Sequence, residues 1–190
     1  MKLKTVIYLV CSFLLSCQEY VQDPIDPRIP KYTESGRDVA GALINGNPWI
    51  SDGTGFNMYG QDDIDLVYYA PQDSLIMRMS GRFDDHHLNV IINLNKLLIE
   101  SLIDFRNLQG QTITLDGISH QGVIDMLHFV EPLGGGLGQV YFRKVTFKEH
   151  TAGANWLVMS GTFSFTIPGS YDVTHGRFDY SVSDNDFKPL

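Results

Sequence analysis

Four neighbouring residues, Asp84, Asp85, His86 and His87, carry side chains that can bind a divalent metal ion. Neutral imidazole nitrogens and carboxylate oxygens are ligands for zinc and for other divalent ions. The run also lies between two segments of alternating hydrophobicity, where a polar hairpin loop is expected. Because neighbouring side chains on extended backbone point to opposite faces, a solvated loop is the favoured interpretation and a metal site is the alternative.

Two further runs of acidic residues are spaced like calcium ligands. Asp62, Asp63 and Asp65 follow a glycine-rich stretch, and an Asp-Asn-Asp run occupies 184–186. Calcium prefers hard oxygen ligands at alternate positions, but neither run has the glycine and the distal glutamate of a helix–loop–helix calcium loop. Turn formation is favoured for both runs, and calcium or another divalent metal is the alternative cofactor.

Residues 117–122, Gly-Ile-Ser-His-Gln-Gly, resemble a nucleophile turn at first sight. The esterase elbow requires glycine two residues after the serine, and Gln121 occupies that position. The glycine-rich run at 134–138 lacks the Lys and Ser or Thr of a phosphate-binding loop, so a flexible hairpin loop is favoured there. Without a catalytic motif in the sequence, we expect a protein that is not an enzyme. A hydrolase built from dispersed Asp and His residues is the alternative.

Four aromatic residues are candidates for a ligand-binding surface: Trp49, Tyr68, Tyr69 and Trp156. Tyrosine and tryptophan rings combine an apolar face with a polar group, which suits stacking against a sugar ring. A place in the hydrophobic core is the alternative for most of them.

The first seventeen residues indicate export and lipid attachment. Two lysines precede a mostly apolar run at 5–15, which is too short to span a membrane and is typical of a signal peptide. The run Leu-Leu-Ser-Cys at 14–17 then resembles the bacterial lipobox, whose cysteine is acylated and becomes N-terminal. We therefore expect a signal peptide at 1–16 and a lipid on Cys17. The mature chain would then have no free thiol, because Cys11 is removed with the signal peptide.

A disordered tether is expected at 17–36, between the lipid and a folded domain at 37–190. Pro24, Pro27 and Pro30 interrupt this segment, which shows little apolar periodicity. A flexible segment of this length has a root-mean-square reach of roughly 25 Å. The expected location is the outer membrane, and the periplasmic and cell-surface faces both stay open. The formal net charge of −8 argues against a nucleic-acid partner.

Alternation with a period of two runs through most of the domain. Asn45-Gly46 marks a hairpin, and apolar residues occupy alternate positions at 75–83, 88–94 and 157–167. At most one short helix is expected, at 96–106, and a loop is the alternative for that segment. About ten strands separated by short turns predict an all-β fold, a single antiparallel sandwich or barrel-like domain. Glycine stands two residues before phenylalanine at 81, 161 and 176, which allows each ring to cover the glycine on its own strand.

Three motifs carry a resemblance to a known family. They are the lipobox at 14–17, Ala-Leu-Ile-Asn-Gly-Asn-Pro-Trp at 42–49, and Met-Ser-Gly-Thr-Phe-Ser-Phe at 159–165 followed by Val-Thr-His-Gly-Arg-Phe at 173–178. With them the chain resembles the small outer-membrane lipoproteins of unknown function that are common in Bacteroidota. The resemblance implies an all-β envelope domain and supplies no catalytic residues.

Together these expectations describe a membrane-anchored lipoprotein with a non-catalytic binding or structural role in the cell envelope. Its expected partners are the membrane, through the lipid, and a glycan or an envelope protein. A carbohydrate-binding surface protein that uses exposed aromatic residues is the first alternative, and the hydrolase is the second. Beyond the covalent lipid on Cys17, no cofactor is expected.

Overall fold

The structure is a computed structural model that describes residues 26–51, 64–126, 133–149, 155–183 and 187–189. The strands of these residues are β1 (Val39–Ile44), β2 (Asn47–Ser51), β3 (Ile64–Tyr69), β4 (Ser74–Phe83), β5 (His86–Asn95), β6 (Thr112–Asp116), β7 (Gln121–Met126), β8 (Leu133–Lys148), β9 (Trp156–Ile167), β10 (Tyr171–Ser183) and β11 (Phe187–Pro189). A 3-10 turn, Ala70–Gln72, precedes β4, and a 3-10 helix, Leu102–Leu108, lies between β5 and β6. No helix in the described part of the chain is long and apolar enough to cross a membrane.

Eight strands close into an antiparallel barrel in the order β4-β2-β1-β10-β9-β8-β7-β5, and pairing of β5 with β4 completes the ring. Strand β2 ends beside Gly81, and β3 continues along the same edge of β4 from Met79 onward. Strand β11 adds to β3 in parallel, and β6 pairs with β8. The predicted all-β domain of about ten strands is confirmed, in its barrel form.

The two ends of the barrel carry different connections. At the hairpin end, the chain reverses between β1 and β2, between β4 and β5, and between β9 and β10 (residues 45–46, 84–85 and 168–170). At the opposite end, here called the helix end, lie the 3-10 helix, the turn before β4 and the turn between β6 and β7 (residues 102–108, 70–73 and 117–120). Antiparallel pairing fixes this arrangement, because each hairpin returns the chain to the end from which it came.

The helix is shorter than predicted and starts later. Lys96 and Leu98 have left-handed backbone, with φ of 59° and 53°, which prevents a helix from starting at 96. The helix begins after Ser101, whose N–H donates to the Asp104 carboxylate at 2.8 Å. Its residue Phe105 is fully buried in the barrel core, so the helix packs against the interior at this end.

Aromatic rings fill the interior by covering glycines on neighbouring strands. A Cβ at Gly81 would lie 2.7 Å from the Trp49 ring and 2.5 Å from the Ile50 carbonyl oxygen. In the same way, the ring of Phe178 covers Gly161 and the ring of Phe163 covers Gly176. The expectation that each phenylalanine covers a glycine on its own strand is therefore wrong: these rings reach across to the adjacent strand.

The glycine-rich run at 134–138 belongs to β8 and is not a hairpin loop. A Cβ added at Gly136 would lie only 2.6 Å from the ring of Phe165, and Gly138 packs against the backbone of Ser164. The glycines thus permit close approach of strands and rings in the barrel wall.

Residues 26–38, here called the strap, pack along the outside of the barrel. Arg28 donates to the carbonyl oxygen of Gly46 at the hairpin end, and the Asp38 carboxylate accepts from the N–H of Ser181 toward the helix end. The sequence predicts a disordered tether at 17–36. In the structure, residues 26–36 of that segment are instead bound to the barrel. Residues 17–25 lie outside the described residues.

Candidate ligand-binding groove

An open groove of about 500 Å³ lies at the helix end of the barrel. It is bounded by the ends of β3, β4 and β5 and by the β6–β7 turn. Its lining residues are Tyr69, Gln72, Ser74, Asn95, Lys96 and Ser119.

Asp73 connects two walls of the groove. Its backbone is left-handed, with φ of 45°, and its carbonyl oxygen accepts from the N–H of Lys96 at 2.6 Å. Its carboxylate accepts from the Tyr68 hydroxyl at 3.1 Å and from the N–H of Leu98 at 2.9 Å. Burial, and then the hydrogen bond to Asp73, raise the pKa of Tyr68. The turn before β4 is thus held against the segment that follows β5.

Asn95 connects the end of β5 to the β6–β7 turn. Its backbone N–H donates to Nδ1 of His120 at 3.1 Å, and its side-chain amide donates to the carbonyl oxygen of Ser119. Since Nδ1 accepts a hydrogen bond, the neutral His120 ring carries its proton on Nε2. Asn95 is therefore held on both its backbone and its side chain.

The β6–β7 turn is ordered by one carboxylate. Oδ1 of Asp116 accepts from the N–H groups of Ile118, Ser119 and His120 at 2.8, 2.7 and 2.9 Å. These bonds, that of His120 first, hold the pKa of Asp116 below its ordinary value. The turn at 117–120, which resembled a nucleophile turn, is an Asp-capped turn that forms a wall of the groove.

The groove presents one aromatic ring among neutral polar groups. Tyr69 is 36% exposed, and the amides of Gln72 and Asn95 and two serine hydroxyls share the lining with it. Lys96 supplies the single cation, and none of the six lining residues is acidic. This arrangement can stack a flat apolar face and hydrogen-bond the hydroxyl groups of a ligand.

Apolar side chains are exposed next to the groove in the chain. Leu98 is 75% exposed and follows Lys96 by two residues, and Ile118 is 81% exposed and precedes Ser119. These two residues extend the apolar contact surface available to a ligand that is larger than the groove itself.

The four predicted aromatic residues do not form one surface. Tyr69 lines the groove, whereas Tyr68 is buried behind it. Trp49 is fully buried in the core, where its Nε1 donates to the carbonyl oxygen of Leu88 at 3.0 Å. Trp156 is 43% exposed on β9 and does not line the groove.

Asp84, Asp85, His86 and His87 are all exposed at the hairpin end. Within the described ranges, no group of three or more His, Cys, Asp or Glu side chains could hold a metal ion. Asp65 lies near Arg78, with 3.9 Å between carboxylate and guanidinium. The remaining calcium candidates, Asp62, Asp63 and 184–186, lie outside the described residues.

Most of the groove's polar residues carry no recognisable sequence signal. Asn95 and Ser119 are 24 residues apart and meet only because β5 pairs with β7 in the observed register. Comparison of the chain with family models, curated proteins and solved structures gives no match.

Proposed function

We propose that this chain is a lipid-anchored, non-catalytic binding module of the bacterial outer membrane, and that its groove binds a neutral saccharide. The anchor follows from the apolar run at 5–15 and the lipobox-like residues ending at Cys17. The observation that supports saccharide binding is the exposed ring of Tyr69 among four neutral hydrogen-bonding side chains.

The charges around the groove favour a neutral ligand over an acidic one. Lys96 is the single cation of the lining; its backbone N–H donates to the carbonyl oxygen of Asp73, whose carboxylate accepts from the N–H of Leu98. Burial and the hydrogen bond to Asp73 raise the pKa of Tyr68 most, and the negative charges of Asp73, Glu100 and Asp104 raise it further, so three carboxylates contribute negative charge near this ring. An anionic ligand would enter this negative field, whereas a neutral saccharide is not repelled by it.

The groove is largely pre-formed. Asp73 and Asn95 hold its walls through hydrogen bonds to backbone groups of other segments, and Asp116 orders the β6–β7 turn through backbone N–H groups of that turn. A ligand therefore needs to order few backbone segments when it binds, which lowers the entropic cost of association.

The proposal is tested by titrating the mature chain, purified in detergent, with a panel of neutral and acidic oligosaccharides. We expect neutral members to bind, and Tyr69→Ala to weaken their binding about tenfold, since loss of a stacking contact costs on the order of 1 kcal/mol. Trp156→Ala is the matched control, because it removes an exposed ring outside the groove.

Calorimetry gives the affinity of each variant. A ligand that binds Tyr69→Ala as tightly as it binds the wild type would contradict the groove assignment. Selective binding of acidic saccharides would contradict the neutral ligand class.

A further inference from the structure

We infer that the strap fixes the orientation of the barrel on the membrane, with the hairpin end toward the lipid and the groove facing away. The inference rests on the lipid anchor proposed above. It depends on how firmly residues 26–38 are bound and on where their first residue lies.

Asp179 on β10 binds the strap near the helix end. Its side chain is buried, with 2% of the residue exposed, although it faces the outside of the barrel. Oδ2 accepts from the Thr33 hydroxyl and from the N–H of Ser35 at 3.1 Å, and Oδ1 accepts from the N–H of Gly36 at 2.7 Å. The N–H of Arg37 donates to Oδ2 as well, at 3.4 Å. Burying a charged group is costly unless it is hydrogen-bonded, so release of the strap would leave this carboxylate without these four donors unless water replaces them.

A second set of contacts holds the middle of the strap against β8 and β9. Glu34 pairs with Arg143 at 2.9 Å, and its carbonyl oxygen accepts from Lys144 at 2.8 Å. The ring of Tyr32 lies under the Arg143 guanidinium, and its hydroxyl donates to Ser160 at 3.2 Å. Burial raises the pKa of Tyr32 to about 12.

The first described residues of the strap lie at the hairpin end. Pro30 packs on Gly41, where an added Cβ would lie 2.5 Å from the proline ring. Ile29 is buried, and Arg28 donates to the carbonyl oxygen of Gly46 in the β1–β2 hairpin at 3.2 Å. The strap therefore runs along the barrel wall and begins at the end opposite the groove.

The length of chain that precedes the strap limits how the barrel can lie. Eight residues, 18–25, lie between Cys17 and Asp26, and the nine Cα-to-Cα steps from Cys17 to Asp26 span at most about 30 Å when fully extended. Strand β4 has ten residues and is about 30 Å long; with the tilt of about 35–45° that is usual for barrel strands, it spans roughly 21–25 Å along the barrel axis. Placing the helix end at the membrane would require most of that full extension, whereas placing the hairpin end there does not.

The orientation is testable with single fluorescent labels, because lipid occupies the thiol of Cys17 in the proposed mature chain. Ser170→Cys places a label at the hairpin end and Ile118→Cys places one beside the groove; both positions are exposed. The lipidated chain is reconstituted into phosphatidylcholine vesicles that contain a headgroup-linked nitroxide quencher. We expect quenching at 170 to exceed quenching at 118 several-fold.

Release of the strap should reduce this difference. We expect Asp179→Asn to bring the two quenching values to within twofold of each other, and Asp172→Asn, an exposed carboxylate on the same strand that does not contact the strap, to leave the difference unchanged. Circular dichroism monitors folding. If Asp179→Asn does not fold, Tyr32→Phe combined with Thr33→Val removes strap contacts without altering the barrel.

Each outcome bears on a separate claim. Equal quenching at the two positions in the wild type, or stronger quenching at 118, would overturn the orientation while leaving the anchor intact. Flotation of the vesicles in a density gradient measures separately whether the protein is attached to the membrane. If the lipidated protein does not float with the vesicles, the lipid does not anchor it, and both the proposed function and the orientation are overturned.

Discussion

The carboxylate of Asp179 accepts a hydrogen bond of 2.7 Å from the backbone N–H of Gly36, which lies 143 residues earlier in the chain. This contact joins the last long strand of the barrel to the segment that precedes the first strand. It makes residues 26–36 part of the folded unit, so about half of the predicted tether is bound to the barrel.

Trypsin should distinguish a bound strap from a free one. Residues 18–25 contain no Lys or Arg, so the first sites after Cys17 are Arg28 and Lys31 within the strap. We expect slow cleavage there in the wild type and cleavage at least about tenfold faster in Asp179→Asn, because proteolysis follows the population of the opened segment. Mass spectrometry of the trimmed chain over time measures the rate.

Asp172→Asn is the control for this experiment, since its carboxylate bonds to Thr166 and not to the strap. Equal cleavage rates in the wild type and Asp179→Asn would show that this carboxylate does not hold the strap.

Gly81→Ala should destabilise the barrel through the contact with Trp49. The added Cβ would lie 2.5 Å from the Ile50 carbonyl oxygen, which is backbone and cannot rotate away. We expect a loss of about 1–3 kcal/mol in the free energy of unfolding, measured by urea denaturation. Gly134→Ala is the matched control, because its Cβ would meet its nearest neighbours at 3.6 Å. Similar losses in the two variants would contradict the packing described here.

The two tryptophans should report opposite environments. Trp49 is fully buried and Trp156 is 43% exposed. We expect Trp156→Phe to leave a blue-shifted emission that iodide quenches weakly, and Trp49→Phe to leave a red-shifted emission that iodide quenches strongly. Strong iodide quenching in folded Trp156→Phe would contradict burial of Trp49.

The groove wall formed by the β6–β7 turn should weaken in acid. Hydrogen bonds from His120, Ile118 and Ser119 hold the folded pKa of Asp116 below its ordinary value of 3.8. The stabilisation is therefore complete above about pH 4 and is lost as pH falls through the folded pKa. Carbon NMR of the Asp116 carboxyl should show a midpoint below 3.8, and the three amide protons should shift with it. A midpoint at or above the ordinary value would contradict this capping.

Much of the barrel could be predicted from its sequence, because period-two alternation identifies strands directly. Closure into a barrel could not be predicted, since a sandwich has the same alternation. One edge of β4 pairs first with the short β2 and then with β3. This change of partner depends on pairing between distant segments, which the local sequence pattern does not reveal.

The binding of the strap to the barrel and the residues that line the groove could not be predicted from the sequence, for related reasons. Proline and polar residues in the strap indicate disorder when they are considered alone, but most of the donors to Asp179 are backbone N–H groups, which every non-proline residue possesses. In the groove, only Tyr69 was anticipated. Gln72, Asn95 and Ser119 are common polar residues that become a site only through strand register.

Lipid attachment at Cys17 is the claim on which both the function and the orientation depend, and mass spectrometry of the mature N-terminal peptide tests it most directly. Cells expressing the wild type, Cys11→Ala or Cys17→Ala are fed labelled palmitate and fractionated. We predict that the wild type and Cys11→Ala begin at an acylated Cys17 and stay in the membrane fraction, and that Cys17→Ala incorporates no label. An unmodified Cys17 in the mature wild type, or membrane attachment of Cys17→Ala after removal of its signal peptide, would contradict the account.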